Sequence, residues 1–331
     1  VTNALTIEGL RIQTRRHTIV GGIDLALARG GIHGLAGESG SGKTMTALAV
    51  LGLLPVGMTA SGSIRLADDV STGAGGGAGS GAGVGGSIEL VSANRSTLGA
   101  VRGRRVAMVF QDPSTSLHPQ LPVGRQLTDH MRHHLGLGKA AALEKAESLL
   151  DRVRVPDARA ALAKYPHQFS GGQRQRIAIA VALACDPTVL LADEPTTALD
   201  VTVQAGVLQL LRELVDDGGL SILLVTHDLG VMSAVADEVT VMRQGLVVES
   251  APRQQLFSTP RDEYTRSLLA ALPGSSFEES PEVLVEELLE GDLPGADAAG
   301  GGGSARDGSG QGGSGRDGSG RASGDTEGGS R

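Results

Sequence analysis

Ile32-His33-Gly34-Leu35-Ala36 runs straight into Gly37-Glu38-Ser39-Gly40-Ser41-Gly42-Lys43-Thr44, and this junction decides the fold. The first five residues read as a buried strand, the next eight are a full G-x-x-x-x-G-K-[ST] match, and a helical pattern follows over 43–54. A strand, a glycine-rich turn and a helix start in that order make a phosphate cradle. Gly37, Gly40 and Gly42 let consecutive N–H groups, with those of Ser39 and Ser41, turn inward, and the helix N-terminus adds its positive end. Lys43 is then placed for the β- and γ-phosphates and the Thr44 hydroxyl for Mg²⁺.

Outward from this point the chain alternates short apolar runs with helical patterns, as a parallel sheet with covering helices does. Strands are expected over 4–8, 23–28, 32–36, 106–110, 189–192, 222–226 and 238–243. Helices are expected over 43–54, 123–135, 140–153, 172–185, 201–216 and 229–236, with Gly218-Gly219 stopping the fifth. Two short edge strands, 63–67 and 87–91, are expected to flank a glycine-rich excursion at 73–86. Val189-Leu190-Leu191-Ala192-Asp193-Glu194 ends a buried strand in two carboxylates, which burial disfavours unless they have partners. Beside a phosphate loop, Asp193 would hold the Mg²⁺ shell and Glu194 would polarise an attacking water.

Composition separates this body from two additions. Of 50 glycines in 331 residues, 9 lie in 73–86 and 16 in 291–331, and residues 278–331 carry the whole formal charge of −8. The remaining body is neutral, which argues against a chain-wide nucleic-acid footprint. The glycines have no three-residue period, so the chain is not collagen-like. A single Cys cannot form an internal bridge and suggests a reducing compartment. The longest apolar run, 177–185, is far short of the ~20 residues that span a bilayer. No secretory signal is read at Val1-Thr2-Asn3, so a cytosolic protein is expected. An acidic helix is expected over 283–290, starting at Ser280-Pro281-Glu282, and a disordered tail beyond about 291.

Phe169-Ser170-Gly171-Gly172-Gln173 opens the helix after 170 with Ser170 as N-cap; alone it reads as a capped helix start, and its two glycines also expose N–H groups as a second anion site. With the phosphate loop, it resembles the L-S-G-G-Q signature of the ATP-binding cassette family. The resemblance implies an α/β cassette: a RecA-like P-loop NTPase core, an antiparallel β subdomain and a helical signature subdomain. It also implies that Ser170, Gly171, Gly172 and Gln173 close over ATP held by a second cassette. Gln111, in Phe110-Gln111-Asp112-Pro113, resembles the residue that reaches the γ-phosphate or its water and joins Thr44 and Asp193 around the metal. Asp200, in Ala198-Leu199-Asp200, resembles the residue at the dimer seam, and His227, in Thr226-His227-Asp228, the histidine on the γ-phosphate. Read alone, Gln111 and His227 are satisfied strand-end polar residues; five motifs in order reverse that reading.

Within the family, three stretches are similar to the oligopeptide, dipeptide and nickel importer ATPases: 111–119, 165–172 and 193–205. Phe257-Ser258-Thr259-Pro260-Arg261-Asp262-Glu263-Tyr264-Thr265 resembles their C-terminal extension. The resemblance therefore implies a nucleotide-binding domain over 1–250 with a helical subdomain at about 112–185. An extension over 251–277 and an acidic, Gly/Ser-rich segment over 278–331 would follow. It implies ATP and Mg²⁺, ATP hydrolysis catalysed through Glu194, His227 and Gln111, and peripheral attachment at the cytoplasmic face of the membrane. The implied partners are a second cassette (the same chain or a paralogue), two transmembrane permease subunits and, indirectly, an extracytoplasmic solute-binding protein, with no nucleic acid. Nickel or another solute is the alternative cargo, and a soluble cassette ATPase acting on DNA or ribosomes is the rival class.

The chain also departs from the family pattern. Its one Cys, Cys185, lies in an apolar helical pattern, so no iron–sulfur cluster is expected. The place for an aromatic under adenine, near Thr14 to His17, offers only His17. His130, His133 and His134 have metal-ligand spacing but are read as a solvated helix face.

Overall fold

Strands β7 (Val189–Asp193) and β8 (Ser221–Val225) are buried along their whole length, as apolar runs flanked by helical segments require. Their side chains alternate between two cores. Leu190, Ala192, Ile222 and Leu224 join the core under the helices, while Val189, Leu191, Leu223 and Val225 join a second core on the other face. Each such Leu or Ile taken out of water contributes roughly 2 kcal/mol.

In this computed structural model residues 2–68, 86–197 and 199–272 are described. The preceding strands are β1 (Asn3–Gln13), β2 (Thr18–Ala28), β3 (Ile32–Ala36), β4 (Thr59–Ala67), β5 (Ser87–Glu89) and β6 (Val106–Val109), and β9 (Glu238–Arg243) and β10 (Leu246–Pro252) follow. The helices are α1 (Lys43–Val50), α2 (Arg95–Val101), α3 (Pro113–Ser116), α4 (Val123–Leu135), α5 (Lys139–Arg152) and α6 (Ala158–Ala161). They continue with α7 (Gly171–Leu183), α8 (Val201–Gly218), α9 (Leu229–Val235), α10 (Arg253–Ser258) and α11 (Glu263–Ala270).

Two sheets result. Six strands run in the order β10-β9-β3-β8-β7-β6, parallel except for the β9–β10 hairpin. Four antiparallel strands run β2-β1-β4-β5 and share the second core with α1. Because β3, β8, β7 and β6 are parallel neighbours, the loops after Ala36, Val225, Asp193 and Val109 leave from one edge. That edge is where open α/β sheets bind ligands.

Several expectations are corrected. Strand β4 is not an edge: it begins at Thr59 and pairs with β1 on one side and β5 on the other. Helix α1 ends at Val50 rather than 54, where Gly52 takes φ 60°. Cys185 is buried in the turn after α7, not inside the helix, and burial pushes its thiol pKa up. Strand β10 was not expected, although Gln244 and Gly245, both at positive φ, form the tight turn that announces it. Residues 73–85, the helix expected over 283–290 and the tail beyond 291 lie outside the described residues.

His33 on β3 is 2% exposed. Its Nδ1–H donates to the Ala26 carbonyl (3.0 Å), which leaves Nε2 to accept from the Thr240 hydroxyl (2.8 Å). Burial drives its pKa down to about 4, the neutral form being the one that fits. A folded-state pKa below the free value means stability present above pH 6.5 and lost as pH falls through about 4. We expect His33→Gln to remove, from the urea-unfolding difference between pH 7 and 4.5, about 2 kcal/mol. Equal pH slopes for the two proteins would show that His33 is not the acid-sensitive group.

Candidate nucleotide site

The phosphate loop is held from outside by close backbone contacts. A Cβ on Gly37 (φ +142°) would fall 2.2 Å from the Met242 carbonyl oxygen of β9, and one on Gly42 (φ +103°) 3.2 Å from the Ile19 carbonyl oxygen of β2. The Gly245 N–H donates to the Ser41 carbonyl at 3.1 Å. Glycine is therefore required by the closeness of β2 and the β9–β10 turn as well as by φ. Gly40 (φ +83°) faces open space instead, and Ser39 beside it is exposed. Helix α1 starts on Gly42 without a side-chain cap and without an acid in its first turn, so its N–H groups are left for an anion.

Lys43 is buried, and its Nζ donates to the carbonyls of Gly37 (2.6 Å) and Glu38 (2.9 Å). Burial lowers its pKa, while the charges of Glu194, Asp193 and Glu38 act the other way. Thr44 donates its hydroxyl to Asp193 Oδ1 at 3.2 Å. Asp193, 4% exposed, has its carboxyl pKa raised chiefly by burial, with the Thr44 hydrogen bond opposing. A buried carboxylate beside a hydroxyl is a hard-oxygen pair that suits Mg²⁺.

Glu194 adopts φ 46°, rare outside glycine, and is held there by its N–H donating to the Val225 carbonyl (2.7 Å). Three donors converge on its carboxylate: Gln111 Nε2 (2.7 Å) and Thr197 Oγ1 (3.0 Å) on Oε2, and His227 Nδ1 (2.8 Å) on Oε1. The ends of β6, β7 and β8 thus meet at one side chain. Gln111 is turned towards Glu194 here. Thr197 was not anticipated; its only sequence signal is the three-residue step from Glu194.

The second glycine motif stands at α7. Ser170 accepts from the Gln173 N–H (3.3 Å), and Gln173 Oε1 accepts from the Ser170 N–H (3.0 Å), a reciprocal cap. A Cβ on Gly172 would fall 2.4 Å from Val203 Cγ1, so this glycine also lets α7 and α8 touch. Asp200 caps α8 by accepting from the Val203 N–H at 3.0 Å. Leu199 lies 3.9 Å from where a Gly171 Cβ would stand, and Ala198 is outside the described residues. Ser170 to Gln173 and Asp200 therefore form a surface shared by the starts of α7 and α8.

Other candidates resolve as follows. His17 is exposed in the β1–β2 turn, its N–H donating to Thr14 Oγ1 at 3.0 Å. His130 and His133 are exposed, and partial burial lowers the pKa of His134. No group of three or more His, Cys, Asp or Glu suited to a metal occurs among the described residues.

A family model described as ABC transporter matches residues 20–197. The chain is 44% identical over 275 residues to a putative peptide import ATP-binding protein of Brucella abortus (strain 2308), covering 81% of this chain and 77% of that protein. It is 42% identical to the glutathione import ATP-binding protein GsiA of Escherichia coli (strain K12), covering 82% of this chain and 42% of that longer protein. Among solved structures, cbiO1 of Clostridium perfringens, described as part of the ABC transporter complex cbiONQ, superposes with a TM-score of 0.64 at 24% identity. That match covers 82% of this chain and 97% of the other. The ATP-binding cassette MJ0796, in a dimeric post-hydrolysis state bound to ADP and Pi, gives 0.61 at 22% identity, covering 75% and 98%. These two likenesses concern the fold.

Proposed function

The chain belongs to the ABC transporter family, and from that premise we propose that it is the ATP-hydrolysing subunit of an importer of peptides or a related small solute. The observation that carries the reading is the convergence of Gln111, Thr197 and His227 on Glu194, beside the Thr44–Asp193 pair. The names of the relatives at 42–44% identity support peptide-type cargo.

In this reading Gly37 to Thr44 wrap the phosphates, and Lys43 exchanges its carbonyl partners for the β- and γ-phosphate oxygens. Thr44 and Asp193, with Gln111 once it turns from Glu194, would hold Mg²⁺. The ion would supply charge neutralisation on the phosphates. Glu194 accepts a proton from the attacking water, with His227 orienting its carboxylate and facing the γ-phosphate side. Ser170, Gly171, Gly172, Gln173 and Asp200 serve the nucleotide of a second cassette, the same chain or a paralogue. Closure and reopening of that pair would work the helices of two separate permease subunits at the cytoplasmic face, fed by a solute-binding protein outside. No helix among the described residues is long and apolar enough to cross a membrane.

Purification of the chain from native membranes, with identification of its co-purifying chains, tests the proposal. We expect two permease subunits and a peptide-binding protein, and ATPase activity that rises when a peptide pool is added. Recovery with nucleic acid or ribosomes, and salt-sensitive binding to them, would refute the importer reading in favour of the soluble class.

A further inference from the structure

The phosphate loop touches a residue far along the chain, in the C-terminal extension. The Glu38 N–H donates to the hydroxyl of Tyr264, 226 residues later, at 3.3 Å. Tyr264 stands in the first turn of α11 and is 7% exposed. Its position is fixed from several sides. The Arg243 guanidinium lies over its ring, 4.6 Å from the centroid. The Asp262 carboxylate accepts its N–H at 2.8 Å. The buried Glu249 carboxylate of β10 accepts the N–H groups of Arg261 (2.9 Å) and Asp262 (3.1 Å), clamping the start of α11 to the sheet edge.

The loop is therefore braced unequally. Gly37 leans on backbone of β9, Ser41 on the β9–β10 turn and Gly42 on β2, whereas the N–H of exposed Glu38 meets a side-chain hydroxyl. Resting on the nucleotide reading above, we propose that Tyr264 is a positioning residue for the phosphate loop, and that the first turn of α11, though not its far end, is thereby part of the nucleotide site. Its hydroxyl holds the Glu38 peptide so that the neighbouring N–H groups are preset for phosphate. Without it, the Glu38 peptide keeps only the partners of its carbonyl, Lys43 and the Ser41 N–H, and the ordering of its N–H side is left to the arriving nucleotide and charged against affinity. The effect falls on binding rather than chemistry, because Glu194 and its three donors are not touched. It falls on ATP and ADP alike, because both carry the β-phosphate that the loop surrounds.

The test uses the full chain, with fluorescent N-methylanthraniloyl derivatives of ATP and ADP plus Mg²⁺ for binding, and steady-state hydrolysis for turnover. Tyr264→Phe keeps the ring and its stacking on Arg243 and removes only the hydroxyl. We expect weaker binding of both nucleotides and a higher KM for ATP, each by about three- to tenfold, with kcat within about twofold of the parent, the size of one lost hydrogen bond. Leu269→Ala, buried on the same helix, is the control: it lowers the unfolding midpoint and leaves nucleotide affinity at the parental value. Unchanged affinity in Tyr264→Phe, a loss confined to kcat, or an equal affinity loss in Leu269→Ala overturns the proposal. Absence of nucleotide binding by the parent chain overturns the nucleotide reading itself, and this inference with it.

Discussion

Glu194→Gln is expected to bind ATP as tightly as the parent chain and to turn it over on the order of 10²- to 10⁴-fold more slowly. The substitution keeps the length and shape of the side chain but removes its capacity to take a proton. It also replaces one carboxylate oxygen by an NH₂ that cannot accept. The three donors that meet on this carboxylate, from Gln111, Thr197 and His227, then compete for a single amide oxygen. None of Lys43, Thr44 and Asp193 is altered, so equilibrium binding of MgATP should stay close to parental. The pairing of preserved affinity with lost turnover is the diagnostic, measured by calorimetric titration and single-turnover hydrolysis in the purified complex. Turnover at the parental rate would remove Glu194 from the role of base.

The second large effect is expected at Lys43. Its ammonium lies inside the loop with hydrogen bonds to two carbonyls that a phosphate oxygen would replace. Charge-assisted bonds of this kind are worth about 1.5–3 kcal/mol each, so Lys43→Ala should weaken MgATP binding on the order of 10²- to 10³-fold. Lys43→Arg should not restore it, because a planar fork cannot enter a space shaped for a single ammonium. Titration of the two variants against MgATP gives the result directly. Binding within tenfold of the parent in Lys43→Ala would show that the phosphates lie elsewhere.

What the sequence made readable followed from how local each signal is. The loop 37–44 and the buried runs at β3, β7, β8 and β9 declare themselves within a few residues, since a mostly apolar strand beside a helical period has few alternatives. The order β10-β9-β3-β8-β7-β6 does not, because pairing of Leu35 with Val225 is chosen by tertiary packing. The same holds for β4, whose Thr59–Ser63 half stays largely exposed although its backbone pairs with β1, and so carries no apolar signal. At the site, Lys43, Thr44, Asp193 and Glu194 were legible from motif and strand end, and Gln111 and His227 only through family likeness. Thr197 and Tyr264 stand in stretches that resemble the family, but their contacts could not be read there for a physical reason: a hydroxyl takes its meaning from the partner it meets, and those meetings are made by folding.

The glycine-rich stretch between β4 and β5 acquires a different meaning from the ladder that frames it. Its ends are tied together, the Asp68 N–H donating to the Gly86 carbonyl at 2.9 Å, and Leu66 pairs with Ile88 just beyond. A chain segment whose two anchors are already side by side contributes only a logarithmic entropy of closure, about 0.6 kcal/mol for each doubling of its length. Length at this point is nearly neutral for stability. The hairpin thus offers a natural port, one where residues can be gained, lost or exchanged for a reporter while the cassette's energetics stay almost unchanged.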